Sequence, residues 1–139
     1  MSNKVLLTGI SGWIAKHTAI ELLNSGYEVL GTVRNKNLIE QTKETISKYA
    51  SIDKLSFVEL DLVKDDGWDE AAKGCKYIFH IASPFPMKVS RNRESLLPPA
   101  VDGTLRVLKA GVNAGVEQII KTSSIVAMFR KPNRSNPYT

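Results

Sequence analysis

The residues whose types and spacing point to chemistry begin at Thr8-Gly9-Ile10-Ser11-Gly12-Trp13-Ile14-Ala15. Glycines here let the chain reverse sharply and bring backbone N–H groups, with no Cβ in the way, against a pyrophosphate at a helix N-terminus. The spacing is Gly-x-x-Gly-x-x-Ala, a departure from the usual Gly-x-Gly-x-x-Gly, and the same glycines serve an ordinary strand-to-helix turn. Position favours the dinucleotide reading. The turn sits at the very N-terminus, between the apolar strand-length run Lys4–Thr8 and a helical pattern that places Ile14, Ala15, Thr18, Ala19, Leu22 and Leu23 on one face. Small Ala15 lets that helix lie close on the strand.

A second signal follows the next strand. In a dinucleotide fold the end of the second strand faces the adenosine ribose, where an acidic residue takes the 2′-OH of NAD and an arginine takes the 2′-phosphate of NADP. Arg34 occupies that place, Lys36 is close by, and no Asp or Glu lies between Val29 and Ile39. The expected cofactor is therefore NADP(H). Asp61, after the third strand, can accept the adenine amino group, although an Asp there also serves as a turn residue or helix cap. His80 lies inside an apolar run with no carboxylate or serine at a triad spacing and reads as a packed strand histidine. No metal site is expected.

The elements that must position these residues alternate. Strands are predicted at Lys4–Thr8, Glu28–Val33, Leu55–Leu60, Lys76–Ala82 and Glu117–Ser124. Helices are predicted after Gly12, over Leu38–Ala50 with anchors Ile39, Ile46 and Tyr49, over Trp68–Lys73, and over Glu94–Gly115 with Val101, Leu105, Leu108 and Val112 as the buried stripe. Gly26, Gly74 and Gly115 read as helix stops. The fourth strand, too apolar to have a wet face, is expected to be central, ending at Ser83-Pro84-Phe85-Pro86. Such alternation makes a doubly wound parallel sheet of α/β, Rossmann type, here ending after its fifth strand. Ligands of such sheets bind beyond the carboxyl ends of the strands, and Gly9–Ala15, Arg34, Asp61, Ala82-Ser83 and Ser123-Ser124 all fall there.

The bulk properties fit one soluble domain. The 139 residues are 42% hydrophobic and 24% charged, with a net charge of +5. A chain this long buries roughly two-thirds of its unfolded surface. Its 19 basic residues are scattered, which disfavours a nucleic-acid face. Cys75 alone forms no internal disulfide and reads as a buried small residue in a reducing compartment. No signal peptide and no bilayer-length apolar stretch is seen, so the expectation is a cytoplasmic protein.

Taken in order, Thr8–Ala15, Gly31-Thr-Val-Arg34, Asp61-Leu62, Gly74-Cys-Lys-Tyr-Ile-Phe-His-Ile-Ala-Ser-Pro84, Pro99-Ala-Val-Asp-Gly-Thr-Leu105 and Thr122-Ser-Ser124 resemble extended short-chain dehydrogenases/reductases. The resemblance is strongest to the dihydroflavonol-4-reductase-like branch, which includes NADPH-dependent aldehyde and ketone reductases. It implies that Gly9, Ile10, Ser11, Gly12, Trp13 and Ile14 hold the pyrophosphate, Arg34 the 2′-phosphate, and Asp61 with Leu62 the adenine. It further implies that Ala82 and Ser83 approach the nicotinamide ribose and that Ser124 is the catalytic serine bonding a substrate carbonyl.

The family's Tyr-x-x-x-Lys pair is absent. The fourth residues after Tyr27, Tyr49 and Tyr77 are Gly31, Asp53 and Ile81, and Tyr138 is followed only by Thr139. In the family the lysine and the cofactor ribose lower the tyrosine's pKa so that it protonates the carbonyl oxygen. The simplest account is a fragment, residues 1–126 being the cofactor-binding portion and 127–139 a loop leading to the missing pair. Such a chain is expected to bind dinucleotide weakly at best, to be inactive alone, and to leave an apolar edge at its fifth strand. The alternatives are a nucleotide-sugar epimerase or dehydratase of the same superfamily, against which Arg34 speaks, and a non-catalytic NADP-binding regulatory module.

Overall fold

The structure is a computed structural model, described here for residues 3–83 and 98–125. Its five strands are β1 (Lys4–Thr8), β2 (Glu28–Val33), β3 (Leu55–Glu59), β4 (Tyr77–His80) and β5 (Gln118–Lys121). All pair in parallel, in the order β3-β2-β1-β4-β5. Between them run α1 (Trp13–Asn24), α2 (Ile39–Ser47), α3 (Trp68–Ala72) and α4 (Gly103–Ala114), with a 3-10 turn at Lys36–Leu38 and a π turn at Pro98–Asp102. The sheet is doubly wound, as the alternation predicts. Pro84–Pro86, the start of the predicted last helix and the 127–139 loop lie outside the described residues.

Alternation along β1 builds two cores. Val5 and Leu7 face α1 and α2, joining Ala15, Ala19, Ile20 and Ile46. Leu6 faces the other way, into a cluster with Trp68, Ala72, Ile78, Val107 and Ala110 from α3, β4 and α4. With strand side chains pointing to opposite faces, a central strand covered on both sides must be apolar throughout. Cys75 is buried in the second cluster, its thiol donating to the Ala71 carbonyl at 3.3 Å. Burial pushes that thiol's pKa up.

Five expected apolar anchors are corrected. Val101, Leu105 and Val112 are 51%, 57% and 76% exposed, and α4 instead buries Gly103, Val107, Ala110 and Gly111. The reason is close packing: a Cβ on Gly111 would lie 2.5 Å from Ile119 Cδ1, and one on Gly103 2.8 Å from Leu62 Cβ. The face carrying Val107, Ala110 and Gly111, not the one carrying Leu105 and Val112, meets the sheet. Tyr49 is exposed, and the second anchor of α2 is Thr42, buried with its hydroxyl donating to the Leu38 carbonyl at 2.6 Å. Ile14 is exposed, whereas Ala15 and Ala19 are on the buried side of α1.

Candidate functional site

The strand order reverses between β1 and β4: α1 follows β1 toward β2, while β4 and β5 lie on the other side. At such a point the chain leaves a crevice beyond the carboxyl ends of the strands. The turn after β1 and the end of β4 meet here. Gly9 takes a left-handed φ of +69°, and a Cβ on it would lie 2.9 Å from Ala82 Cβ.

The turn holds itself closed by its own amides. Gly9 N–H donates to Thr32 Oγ1 at 3.0 Å, Ile10 N–H to the Thr32 carbonyl at 3.1 Å, and Gly12 N–H to the Gly9 carbonyl at 2.9 Å. Ile10 is fully buried and lies over Gly31, where a Cβ would come within 2.5 Å of Ile10 Cδ1. What the turn presents outward is the start of α1. Lys16 N–H is the first to reach an α1 turn, donating to the Gly12 carbonyl at 3.0 Å, so the first-turn amides at Trp13 and Ile14 point out of the helix end without an intrahelical acceptor. Together with the positive end of the helix dipole they suit an anion. Trp13 is 77% exposed and packs edge-on against His17, with ring centroids 4.7 Å apart.

The residues expected on the adenine side, Arg34, Asp61 and Leu62, lie at the ends of β2 and β3. Arg34 is exposed and has no carboxylate partner within salt-bridge distance among the described residues. The turn after it is fastened twice: Asn35 Oδ1 accepts from Asn37 N–H at 2.9 Å, and Glu59 Oε2 from Lys36 N–H at 3.1 Å. Asp61 does cap its own turn, Oδ1 accepting from Val63 N–H at 3.1 Å. The loop around Asp61 and Leu62 is clamped from below and from the side. Trp68 Nε1–H reaches the Asp61 and Lys64 carbonyls at 3.3 and 3.0 Å, and Arg106 of α4 donates to the Leu62 carbonyl at 2.8 Å while ion-pairing with Asp65.

On the far side of the crevice, Ala82 is half-buried and Ser83 exposed at the end of β4. Thr122 N–H donates to the His80 carbonyl at 3.1 Å, which continues the β4–β5 pairing toward the exposed Ser123 and Ser124. The sequence-predicted residues thus gather along one edge, with Arg34, Asp61 and Leu62 on the β2–β3 side and Ala82, Ser83 and Ser124 on the β4–β5 side. Thr8, Thr32, Glu59, Thr104 and Arg106 were not foreseen as site residues. Thr8, Thr32 and Thr104 lie within the motifs that carry the resemblance, but their partners, like those of Glu59 and Arg106, are distant in sequence.

A five-stranded parallel sheet with a glycine turn and helix N-terminus at its switch point defines a Rossmann-type nucleotide-binding fold. The chain belongs to the NAD dependent epimerase/dehydratase family, whose model matches residues 5–139, and is an extended short-chain dehydrogenase/reductase. It is 36% identical over 122 residues to tetraketide alpha-pyrone reductase 1 of Arabidopsis thaliana, covering 87% of this chain and 37% of that protein. To dihydroflavonol 4-reductase of Hordeum vulgare it is 34% identical over 121 residues, covering 86% and 34%. Among solved structures, yeast methylglyoxal/isovaleraldehyde reductase Gre2 complexed with NADPH superposes with a TM-score of 0.78 at 30% identity, covering 91% of this chain and 38% of that one. The chain therefore spans well under half the length of these relatives.

Proposed function

We propose that this chain is the NADP(H)-binding portion of an oxidoreductase that reduces an aldehyde or ketone by hydride transfer. The observation that carries the reading is the convergence at one crevice of an outward-facing helix N-terminus, a glycine turn pressed against Ala82, and an exposed arginine at the end of β2. In this reading Gly9, Ile10, Ser11 and Gly12 shape the turn, and the amides of Trp13 and Ile14 meet the pyrophosphate. Arg34 pairs with the 2′-phosphate. Asp61, with Oδ1 held by Val63 N–H, keeps Oδ2 for the adenine amino group, and Leu62 flanks the ring. Ala82 and Ser83 face the nicotinamide ribose.

The bound cofactor supplies the hydride. Ser124 gives the substrate carbonyl a hydrogen bond, and the residues named here bind the cofactor and position the substrate. The named relatives support reduction of a carbonyl: they include cinnamoyl-CoA reductase 1 of Petunia hybrida and aldehyde reductase 2 of Sporidiobolus salmonicolor. Their partner in this proposal is a small molecule. The buried thiol of Cys75 supports placing the protein in the cytoplasm, and no helix among the described residues is long and apolar enough to cross a membrane.

The test is NADPH oxidation by the native protein that carries this chain, with and without aldehydes and ketones. Carbonyl-dependent oxidation of NADPH in preference to NADH is expected and should fall in Ser124→Ala. Turnover of a nucleotide sugar with NAD, and none of a carbonyl, would favour the epimerase or dehydratase instead.

A further inference from the structure

His80 has no part in the proposed chemistry, yet its bonds form a directed chain. It is 2% exposed on β4, with Nδ1 2.9 Å from Thr8 Oγ1 and Nε2 3.4 Å from Thr104 Oγ1. Thr8 Oγ1 also receives the amides of Ile81 and Ala82, at 3.0 and 2.9 Å. A hydroxyl has two acceptor lone pairs and one proton. With both lone pairs engaged, Thr8 must give its proton to His80 Nδ1, which is therefore unprotonated. The ring proton then sits on Nε2, facing Thr104, whose own hydroxyl donates to the Ala100 carbonyl at 2.7 Å.

We propose that His80, as the neutral Nε2–H tautomer, is a positioning residue: through Thr8 it fixes the Ile81–Ala82 backbone against the glycine turn. Those two amides lie past the last β4–β5 pair, His80 of β4 with Lys121 of β5. Thr8 satisfies them, and Ala82 is the residue Gly9 presses upon. A protonated ring would present a donor to Thr8 in place of an acceptor, so that one hydroxyl would face three donors and keep a proton with nowhere to go. The groups packed on His80 agree with neutrality. Thr8 of β1 and Thr104 of α4 are uncharged, and Lys121 of β5 is a cation; burial and that cation lower the ring's pKa to about 4. The consequence for the nicotinamide side of the crevice rests on the NADP(H) reading, whereas the hydrogen-bond chain does not.

The experiment pairs a spectroscopic signature with rescue. Imidazole 15N spectra of the 139-residue chain should show His80 protonated on Nε2 and unprotonated on Nδ1 from pH 8 down to about 5. Thr8→Val should speed amide exchange at Ile81 and Ala82 at least about tenfold, the size expected for losing one buried bond. His80→Leu should do the same and weaken NADPH binding by a similar factor, while His80→Asn, which keeps an acceptor toward Thr8, should stay near the unmodified chain. A proton on Nδ1 at pH 7, or unchanged exchange at Ile81 and Ala82 in Thr8→Val, overturns the proposal, and the 15N reading needs no variant to fold. Failure of NADPH to bind the unmodified chain overturns the cofactor reading alone, because the tautomer and exchange measurements use no ligand.

Discussion

Gly9 and Ala82 close the crevice between the first and fourth strands: Gly9 has a left-handed φ of +69°, and any Cβ there would fall 2.9 Å from Ala82 Cβ. Both conditions exclude a side chain. Gly9→Ala is therefore expected to cost about 2–4 kcal/mol, combining left-handed strain with overpacking. Thermal unfolding checks this. A loss below about 0.5 kcal/mol would mean that the turn relaxes freely and that the close approach does not hold it.

The exposed and buried faces of α4 make opposite predictions. Val107 is fully buried against Leu6 and Ile78, whereas Val112 is 76% exposed. Val107→Ala should destabilise by about 1–3 kcal/mol and Val112→Ser by less than about 0.5 kcal/mol. Denaturant unfolding of the two variants decides it. Equal losses would restore the bulky stripe as the packed face.

Much of this fold is legible in the residues, for identifiable reasons. Gly26 and Gly115 are helix stops because they take φ of +86° and +67°, conformations that side chains resist. The apolar continuity of β4 marks it as interior, and the structure places it between β1 and β5. The error on α4 has an equally plain cause. Periodicity finds an apolar face, but α4 lies close to the sheet through Gly111 and Ala110 with Val107 beside them, and this leaves Val101, Leu105 and Val112 outside. Within the site, Arg34 and Asp61 stand out locally, by residue type at a strand end. The partners of His80 do not, because Thr8 and Thr104 meet it only once β1, β4 and α4 have assembled.

Stability should depend on pH through His80. Its pKa is lowered from 6.5 to about 4 in the folded protein. In the window between those values the unfolded chain binds a proton that the folded chain refuses, so stability is full above about 6.5 and falls as pH drops toward 4. The loss is on the order of 1–3 kcal/mol. The difference in unfolding free energy between the unmodified chain and His80→Asn, followed from pH 7.5 to 4, isolates it. A difference that stays flat across that range would remove His80 as the cause.

Glu59 and Arg34 should tune cofactor choice in opposite directions. Glu59 Oε2 accepts from Lys36 N–H at 3.1 Å, placing a carboxylate beside the turn assigned to the 2′-phosphate. Glu59→Gln retains an acceptor and removes that charge, so NADPH should bind up to about fivefold tighter, with NADH unchanged. Arg34→Asp should lower the NADPH-to-NADH preference by about 10–100-fold. Fluorescence titration with both cofactors reads each ratio. An unchanged ratio in Arg34→Asp would reject the 2′-phosphate assignment.

The central claim is that this crevice binds NADP(H), and amide chemical-shift mapping during NADPH titration of the 139-residue chain tests it most directly, since weak binding still registers. Shifts should concentrate at Trp13, Ile14, Arg34, Asp61, Leu62, Ala82 and Ser83, and NADH should produce smaller ones. No response from these amides at millimolar NADPH, or a response centred on the opposite end of the sheet at Gly26, Asp53 and Ser56, would contradict the account.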